Sequence, residues 1–255
     1  MNPQPGPDLL SQYYTDKYDP YEADHGLTEL DAEIEAAKAK GEFRHIKITP
    51  GLRILDVGCG GGAFLRVAKA LGAVVQGVEP SEFGVATARK SGIPVFHGQL
   101  DEYINSEGCE EQFDVVTSNH VVEHHPDPVR LLGEMRSLLA PSGYVWFGVP
   151  NADSRTARKL KKHWHANDLP YHLMQFTPSS AALAVEKAGM SIRRQYTTSL
   201  PTATMASLYD IWRYRYFIPR KVTQKLPFLR PLGVRVSKDM DAKGEGEAII
   251  IEAVA

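Results

Sequence analysis

The chain has 255 residues, 43% of them hydrophobic and 24% charged, so it is long enough to build one large domain around a sizeable core. A formal net charge of −2 gives no reason to expect nucleic acid as a partner, and two cysteines, Cys59 and Cys109, exclude a disulfide framework and favour a reducing compartment. The N-terminus lacks a basic region followed by an apolar run, and no apolar run approaches the roughly 20 residues of a membrane span, so we expect a cytoplasmic protein.

The N-terminal part predicts a cap. Residues 1–26 are rich in Pro, Asp and Tyr, which is typical of an irregular arm. Thr28–Lys40 predicts a helix, because Thr28 suits its N-cap and Gly41 suits its end. We expect the arm and this helix to form a cap over residues 1–45.

From residue 53 onward, short apolar runs alternate with runs of helical spacing. The predicted strands are RILDVG (53–58), AVVQGVE (73–79), PVFHG (94–98), FDVVTSN (113–119) and GYVWFGV (143–149), and the predicted helices are 62–72, 81–91 and 128–139. This alternation, with continuous apolar strands, predicts an α/β protein whose parallel sheet is covered on both faces.

The second half continues this pattern and then departs from it. Residues 177–188 predict a helix, 190–196 a strand, and the final run EAIIIEAVA (247–255) another strand. Roughly 45 proline-containing residues lie between those strands, which is too long for a simple loop and indicates an inserted segment with some helix. The predicted units are the cap, a core over 46–200, an inserted lid or surface segment over 201–242, and a last core strand within 243–255.

The segment LDVGCGGGAF (55–64) follows the first core strand and opens a helix. Its glycines let the backbone turn sharply, and the helix N-terminus offers free N–H groups to an anion. Gly58, Gly60 and Ala63 also fit the dinucleotide pattern G-x-G-x-x-G/A. The glycines alone leave a dinucleotide site, another ligand site and a structural turn open.

Two acids separate these alternatives. Asp56 stands two residues before Gly58, where it would repel a pyrophosphate but suits the ammonium and sulfonium of S-adenosylmethionine (SAM). Glu79 ends the second strand about 20 residues past the glycines, where an acid can accept both ribose hydroxyls. The fourth strand ends in Ser118 and Asn119 beside the same crevice.

Four ordered motifs resemble those of class I SAM-dependent methyltransferases. They are LDVGCGGGAFL (55–65), VEPSE (78–82), FDVVTSNHVVEHHPDP (113–128) and LLAPSGYVWFGVPN (138–151). The resemblance implies a doubly wound, seven-stranded, mostly parallel sheet of the Rossmann-like methyltransferase fold, with SAM as cofactor. The Glu123-His124 pair and PYHLMQFTPSSAALAVEKAG (170–189) are also similar to the ubiquinone-biosynthesis and related small-molecule methyltransferases.

The resemblance also implies a set of cofactor contacts. These are Asp56, Gly58, Cys59 and Gly60 at the methionine end, Glu79 at the ribose with Pro80 after it, Gln99 and Leu100 at the adenine, and Asn119 and His120 at the exit path of the methyl group. The acid that the family often places near the adenine is shifted here to Asp101. In relatives the arm closes over SAM through aromatic residues, so Tyr13, Tyr14 and Tyr18 are candidates for that role or for plain packing.

His120, Glu123 and His124 spell H-x-x-E-H, the motif of inverted zinc proteases. That interpretation needs both histidines on one face of a continuous helix, one turn apart. A buried strand precedes them, and Pro126 and Pro128 cut a helix short. We therefore expect no metal at this cluster.

Two histidines are candidates for proton removal from a hydroxyl acceptor. His124 follows the fourth strand and His172 precedes the late helix, and a His of near-neutral pKa can take such a proton. For His124 a role in bracing the loop stays equally open, and we expect Glu123 to brace it. An amine or carbanion acceptor would need no base.

The inserted segment carries an unusual mixture of side chains. Residues 208–235 hold seven basic residues and one acid, interleaved with aromatic rings. This mixture suits a lid over the substrate, peripheral contact with an anionic membrane, or RNA binding, of which RNA is the least favoured. The basic stretch RKLKKHWHAND (158–168), with His163 and His165, is typical of a solvated helix face, with Trp164 at a pocket rim.

The leading hypothesis is a SAM-dependent methyltransferase acting on a small or lipid-like acceptor, with oxygen favoured over nitrogen or carbon. A non-catalytic SAM-binding regulatory protein is the alternative, and a dinucleotide oxidoreductase is disfavoured by Asp56. The sequence predicts neither the acceptor nor the oligomeric state.

Overall fold

The alternating segments fold into strands and helices close to the predicted positions. The computed structural model describes residues 27–106, 112–167, 171–217 and 229–255, so the arm with Tyr13, Tyr14 and Tyr18, and also Cys109, lie outside the described residues. The strands are β1 (Glu42–Phe43), β2 (Ile46–Lys47), β3 (Arg53–Val57), β4 (Val74–Glu79), β5 (Val95–His97), β6 (Phe113–Asn119), β7 (Leu139–Pro150), β8 (Ser191–Thr198) and β9 (Ala248–Val254). The helices are α1 (Leu27–Lys40), α2 (Ala63–Ala70), α3 (Glu82–Lys90), α4 (Leu100–Ile104), α5 (Pro128–Ser137), α6 (Arg155–Leu160), α7 (Pro178–Lys187), α8 (Pro201–Tyr216) and α9 (Leu229–Ala242).

Strands β3 to β9 form a seven-stranded sheet in the order β5-β4-β3-β6-β7-β9-β8. The pairs from β5 across to β7 are parallel, and β9 is antiparallel to both β7 and β8. The chain winds from β3 outward to β5 and returns to β6 on the other side of β3. Open α/β sheets bind ligands at such a reversal, beside the carboxyl ends of the strands. The predicted doubly wound, mostly parallel α/β fold is confirmed.

Both faces of the sheet are buried. Along β3, Leu55 and Val57 belong to one core cluster and Ile54 to the other, as the two-residue period of a strand requires. Phe147 and Trp146 divide in the same way on β7. Each fully buried side chain of this size stabilises the fold by about 1.5–3 kcal/mol, and the continuous apolar strands of the sequence are explained by this two-sided burial.

The helix boundaries follow local capping chemistry with two corrections. The side chains of Ser81 and Thr177 cap α3 and α7 by accepting backbone N–H groups. The expected cap at Thr28 is wrong, because α1 begins at Leu27 and includes it. The helix predicted to reach residue 139 ends at residue 137, because Leu139 pairs with β6 as the first residue of a longer β7.

The described residues of the inserted segment, 201–217 and 229–242, include the helices α8 and α9. A Cβ on Gly233 of α9 would lie 2.3 Å from Cγ of Met205 on α8, so the two helices touch where this glycine leaves room. Ile211 of α8 packs against a buried cluster that includes Leu160 and Trp164. The expectation that Trp164 lines a pocket rim is therefore wrong, since only 4% of it is exposed. Within the described ranges, no helix is both long enough and apolar enough to cross a membrane.

Candidate active site

The glycine loop between β3 and α2 is shaped by left-handed backbone. Gly58 and Gly60 have φ angles of 70° and 53°, a region that favours glycine. A Cβ on Gly58 would lie 2.4 Å from a methyl carbon of Val121, so this position has no space for a side chain. A Cβ on Gly60 would have no atom within 4 Å, so the loop is open to a ligand at that point.

Glu79 lies at the carboxyl end of β4 and contacts the loop directly. Its buried carboxylate accepts the backbone N–H of Gly60 and of Ser81, each at 2.8 Å and each through a different oxygen. A carboxylate oxygen can accept more than one hydrogen bond, so this carboxylate has the chemistry to accept ligand hydroxyls. This arrangement fits the ribose contact expected for Glu79.

Asp56 is buried near the end of β3, with 4% of its surface exposed. The hydroxyl of Thr117 on β6 donates to its Oδ1 at 2.7 Å. Burial raises the pKa of Asp56 to about 6, with Glu79 adding to this effect, and the charge of Arg44 and the Thr117 hydrogen bond oppose it. A cationic ligand group would favour the ionised form of this carboxyl.

Arg44 is a site residue that the sequence analysis missed. It lies in the two-residue turn between β1 and β2, where Arg44 and His45 have φ angles of 50° and 63°. Its guanidinium is 5.3 Å from the ring centroid of Phe64 and interacts electrostatically with Asp56. Because such turns usually carry Asn-Gly, no local sequence pattern indicates that Arg44 lies near Asp56.

The loop after β5 lies where the adenine contact is expected. Gln99 is the N-cap of α4, its backbone N–H donates to Glu102, and Leu100 is buried. Asp101 accepts a hydrogen bond from Arg130 at 2.8 Å. Asp101, which is shifted from the position of the acid in the family, is therefore hydrogen-bonded to the Arg130 guanidinium.

Cys59 and Pro80 are two further predicted cofactor contacts. Cys59 is a free, buried cysteine whose Sγ lies 3.7 Å from the carbonyl oxygen of Gly60. Burial raises the pKa of its thiol, so the group is neutral. Pro80 is exposed, and its carbonyl oxygen lies 3.2 Å from Nε2 of His97.

Asn119 and His120 lie at the end of β6, beside the reversal of the sheet. His120 has a φ angle of 57°, and its backbone N–H donates to Gly148 on β7 at 2.9 Å. Its imidazole Nδ1 lies 3.0 Å from Oε1 of Glu123. A Cβ on Gly148 would come within 2.9 Å of the Asn119 side-chain oxygen, so the strand end is closely packed.

The H-x-x-E-H motif does not form a helix. Val122–His124 is a single 3₁₀ turn between β6 and a proline-containing loop. His120 precedes the turn in left-handed backbone and pairs with Glu123. The geometry of the helical zinc motif is therefore absent, for the reason predicted from the strand and the prolines.

Instead, the fold brings His172 to Glu123 and His124. The His124 and His172 rings meet edge to face, with centroids 4.7 Å apart, and Nε2 of His172 lies 4.0 Å from Oε1 of Glu123. One ligand atom from each of the three residues lies within 4.8 Å of the others, a spacing that a metal ion could bridge. The sequence predicted the two histidines separately and did not predict that they meet.

Backbone carbonyls orient both imidazoles. Nδ1 of His124 lies 3.0 Å from the carbonyl oxygen of Tyr171, and Nδ1 of His172 lies 2.7 Å from that of Ala166. Because a carbonyl oxygen only accepts, each neutral ring carries its proton on Nδ1 and its lone pair on Nε2.

Glu123 braces this arrangement and supplies its negative charge. Its carbonyl oxygen accepts the N–H groups of Leu173 and Met174, which fixes the segment that carries His172. Burial raises the pKa of Glu123, but the hydrogen bond from His120 and the charges of His120 and His124 outweigh it, so the net pKa is lowered. Burial lowers the pKa of His124, and the charge of Glu123 opposes this.

Two further histidines of the described residues, His125 and His163, have partners outside this cluster. His125 is half-buried, and its Nδ1 lies 2.7 Å from the carbonyl oxygen of Asp127. His163 is exposed and stacks on Tyr214. The side chain of His165 lies outside the described part of the structure.

Comparison with known proteins shows the family of the chain. A family model described as a methyltransferase domain matches residues 15–195, which is more than half of the chain. A ubiquinone biosynthesis O-methyltransferase from Actinobacillus pleuropneumoniae is 33% identical over 135 residues, covering 50% of this chain and 55% of that protein. Its counterpart from Pseudomonas putida (strain F1) is 35% identical over 109 residues, covering 41% and 47%. The chain thus spans about half the length of these curated relatives.

Solved structures share the fold at low sequence identity. A SAM-dependent methyltransferase from Thermotoga maritima, described as a possible histamine N-methyltransferase, aligns with a TM-score of 0.58 and 21% identity. The alignment covers 96% of this chain and 98% of that one. A SAM-dependent methyltransferase from Archaeoglobus fulgidus has a TM-score of 0.57 at 20% identity, covering 93% and 99%.

The family match identifies the cofactor, and the crevice is its candidate site. The open glycine loop, the Glu79 carboxylate beneath it and the buried Asp56 fit the hydroxyls and the cationic groups of SAM. The chain therefore belongs to the family of SAM-dependent methyltransferases, and S-adenosyl-L-methionine is its cofactor.

Proposed function

We propose that this protein transfers a methyl group from SAM to a hydroxyl oxygen of a small or lipid-like acceptor. The observation that carries the choice of oxygen is the cluster of Glu123, His124 and His172 beside the end of β6. An oxygen acceptor must lose a proton, and this cluster offers two imidazoles in a half-buried setting. The O-methyltransferase names of the curated relatives support the same acceptor atom.

When bound, SAM supplies an electrophilic methyl group on a sulfonium. The chain's own residues hold and align the reactants, since alignment of the reacting atoms provides much of the rate enhancement. Glu79 would hold the ribose hydroxyls, Asp56 the cationic methionine end, and Arg44 the methionine carboxylate.

We assign the base to Nε2 of His172, assisted by its neighbours. This lone pair would accept the proton that the acceptor hydroxyl loses when it is methylated. The Glu123 carboxylate, 4.0 Å away, stabilises the imidazolium that forms. His124 packs edge-on against His172 and is the second candidate for the same proton.

We infer the acceptor class from the names of the relatives, and we expect the inserted segment to shape the acceptor pocket. The relatives are named for ubiquinone biosynthesis, so a hydroxylated aromatic ring with a lipid-like tail is the class we propose. The inserted helices α8 and α9 are the elements that we expect to shape its pocket, because added segments build the acceptor side of this fold.

Kinetics of His172→Gln and His124→Gln test the assignment, with an acceptor found by screening hydroxylated aromatics. We expect His172→Gln to lower kcat at least 100-fold at pH 7 with SAM affinity within twofold of the parent, the range of a lost general base. A parent-like kcat in both variants would contradict the assignment. His125→Gln, which alters a histidine outside the cluster, is the matched control.

Treatment with a chelator distinguishes two roles for Glu123, His124 and His172, which are proton removal and metal binding. The proposal predicts that turnover is unchanged after treatment with EDTA and removal of the chelator. Activity that is lost and then restored by a divalent cation would assign Glu123, His124 and His172 as metal ligands instead. SAM binding without turnover of any acceptor would favour the regulatory alternative.

A further inference from the structure

Three aromatic side chains are exposed at the C-terminal end of α8. Tyr214, Tyr216 and Phe217 are 42%, 62% and 88% exposed. Phe217 has a φ angle of 57°, a left-handed conformation that a non-glycine residue rarely adopts. Isolated exposed apolar residues are common, but three neighbouring rings at one helix end indicate a contact surface.

Exposed cations lie next to these rings. Lys159, Lys161 and Lys162 belong to the basic stretch at the end of α6, and Arg213 precedes Tyr214 on α8. Among the described residues, none of the four cations has an ion pair. Their positive charge is therefore available to an external anionic partner.

Packing beneath the surface holds the end of α6, with its basic stretch, against α8. The ring of His163 stacks on that of Tyr214, with centroids 3.9 Å apart and an interplanar angle of 14°. Below them, Ile211 of α8 packs against the buried side chains of Leu160 and Trp164. The stacked His163 and Tyr214 thus hold the basic stretch after α6 next to the C-terminal end of α8, even though the two lie far apart in the sequence.

We propose that this aromatic-basic surface (Lys159, Lys161, Lys162, Arg213, Tyr214, Tyr216 and Phe217) docks on an anionic lipid bilayer. Exposed aromatic rings enter the headgroup region while the cations face lipid phosphates, as in other peripheral membrane contacts. Each cation near an anionic leaflet strengthens binding about fivefold. The proposal goes beyond methyl transfer and stands or falls independently of it.

The geometry favours lipid over single-stranded RNA. RNA-binding aromatic residues offer an open ring face on which a base stacks. One face of Tyr214 is covered by His163, and the Arg213 guanidinium lies 5.3 Å from the ring centroid. Tyr214 therefore supports the surface, and the outer rings Tyr216 and Phe217 are the ones that contact the partner.

Vesicle sedimentation with the full chain tests the proposal. We expect binding to vesicles of phosphatidylcholine with phosphatidylglycerol, weak binding to phosphatidylcholine alone, and a decline as salt rises. Replacing Lys159, Lys161 and Lys162 with Gln together should weaken binding to the anionic vesicles by roughly 100-fold. The matched control replaces Lys47, Lys90 and Lys187, three exposed lysines on other elements, with Gln and should bind like the parent.

A second variant tests the aromatic part without disturbing the fold. Phe217→Gly removes the most exposed ring, and glycine suits its left-handed backbone. We expect weaker vesicle binding at unchanged SAM affinity, which reports a folded protein. The proposal is overturned if the parent does not bind anionic vesicles, if the two triple-lysine variants lose binding equally, or if the parent binds a single-stranded RNA oligonucleotide and no vesicles.

Discussion

At the residue scale, the buried carboxyl of Asp56 links cofactor binding to pH. Burial raises its pKa to about 6, whereas the positive groups of SAM favour its ionised form. Bound SAM therefore displaces a proton when the pH lies below 6. Since the protonated form must first ionise, apparent SAM affinity should fall about tenfold between pH 7 and pH 5.

Calorimetric titration across this range measures the effect. The titration at pH 5 is repeated in two buffers that have different ionisation enthalpies. The difference between the two binding enthalpies measures the proton that is released when SAM binds. Asp56→Asn should bind SAM more weakly at pH 7 and should lose the pH dependence. A parent protein with equal affinity at pH 5 and pH 7 would show that Asp56 is not coupled to SAM.

Arg44 should influence the pH dependence of SAM binding through the pKa of Asp56. Its charge lowers the pKa of Asp56, so Arg44→Ala should move the midpoint of the pH dependence to higher pH and weaken SAM binding at pH 7. Lys47→Ala, which removes an exposed cation of β2, is the matched control. An unchanged midpoint in Arg44→Ala would remove Arg44 from the site.

The acids of the site could be located from the sequence, and their partners could not. Asp56 and Glu79 each close an apolar strand beside a turn, which is a local pattern. Arg44 reaches Asp56 only through a two-residue turn without the usual glycine, and His172 meets Glu123 only after the chain has built β7 and α6. Such contacts depend on tertiary packing, which a local pattern does not contain.

At the element scale, a buried acid attaches the inserted helices to the core. Glu247, just before β9, accepts hydrogen bonds from Thr156 of α6 at 2.8 Å and from Ser207 and Thr204 of α8 at 2.6 and 3.3 Å. Only 7% of Glu247 is exposed. One side chain therefore joins α6, α8 and the final strand.

Glu247→Ala should loosen α8 selectively. The substitution leaves three buried hydroxyls without this acceptor, so we expect the free energy of unfolding to fall by about 2–4 kcal/mol. Urea denaturation measures this loss, and hydrogen exchange should show lower protection in 201–216 than in β3 and β6. Glu82→Ala, an exposed site on α3, is the control. Equal protection of α8 in parent and variant would contradict this role.

Elements with long or periodic signals were predicted, and very short ones were missed. The core strands and the capped helices lie within a few residues of their predicted bounds because apolar runs and capping residues mark them. Strands β1 and β2 have two residues each, too few to show a period of two. The early start of β7 at Leu139 depends on pairing with Phe113, which only the sheet supplies.

At the scale of the whole molecule, the fold predicts a linkage between cofactor and stability. The candidate SAM site is built from elements on both sides of β3, so SAM should bind the folded chain and not the unfolded one. At a free concentration of about 100 times its Kd, SAM should add about 2.7 kcal/mol to the free energy of unfolding. A thermal melt should then shift upward by roughly 5–10 °C. NAD at the same concentration should give no shift, and a larger shift with NAD than with SAM would contradict the cofactor assignment.

The doubly wound sheet could be predicted because its order follows from strand–helix alternation and from the ordered motifs. The acceptor could not, because the arm and the inserted segment, which we expect to shape its pocket, carry no shared motif. Function in this fold depends on those added segments more than on the sheet.

The central claim is transfer of the SAM methyl group to oxygen. Its most direct test incubates the protein with SAM carrying an isotopically labelled methyl and a metabolite extract, and then locates the label in the product by mass spectrometry. The account predicts one hydroxylated, lipid-like compound labelled as a methyl ether by the parent and not by His172→Gln. Label on nitrogen or carbon, or equal labelling by that variant, would contradict it.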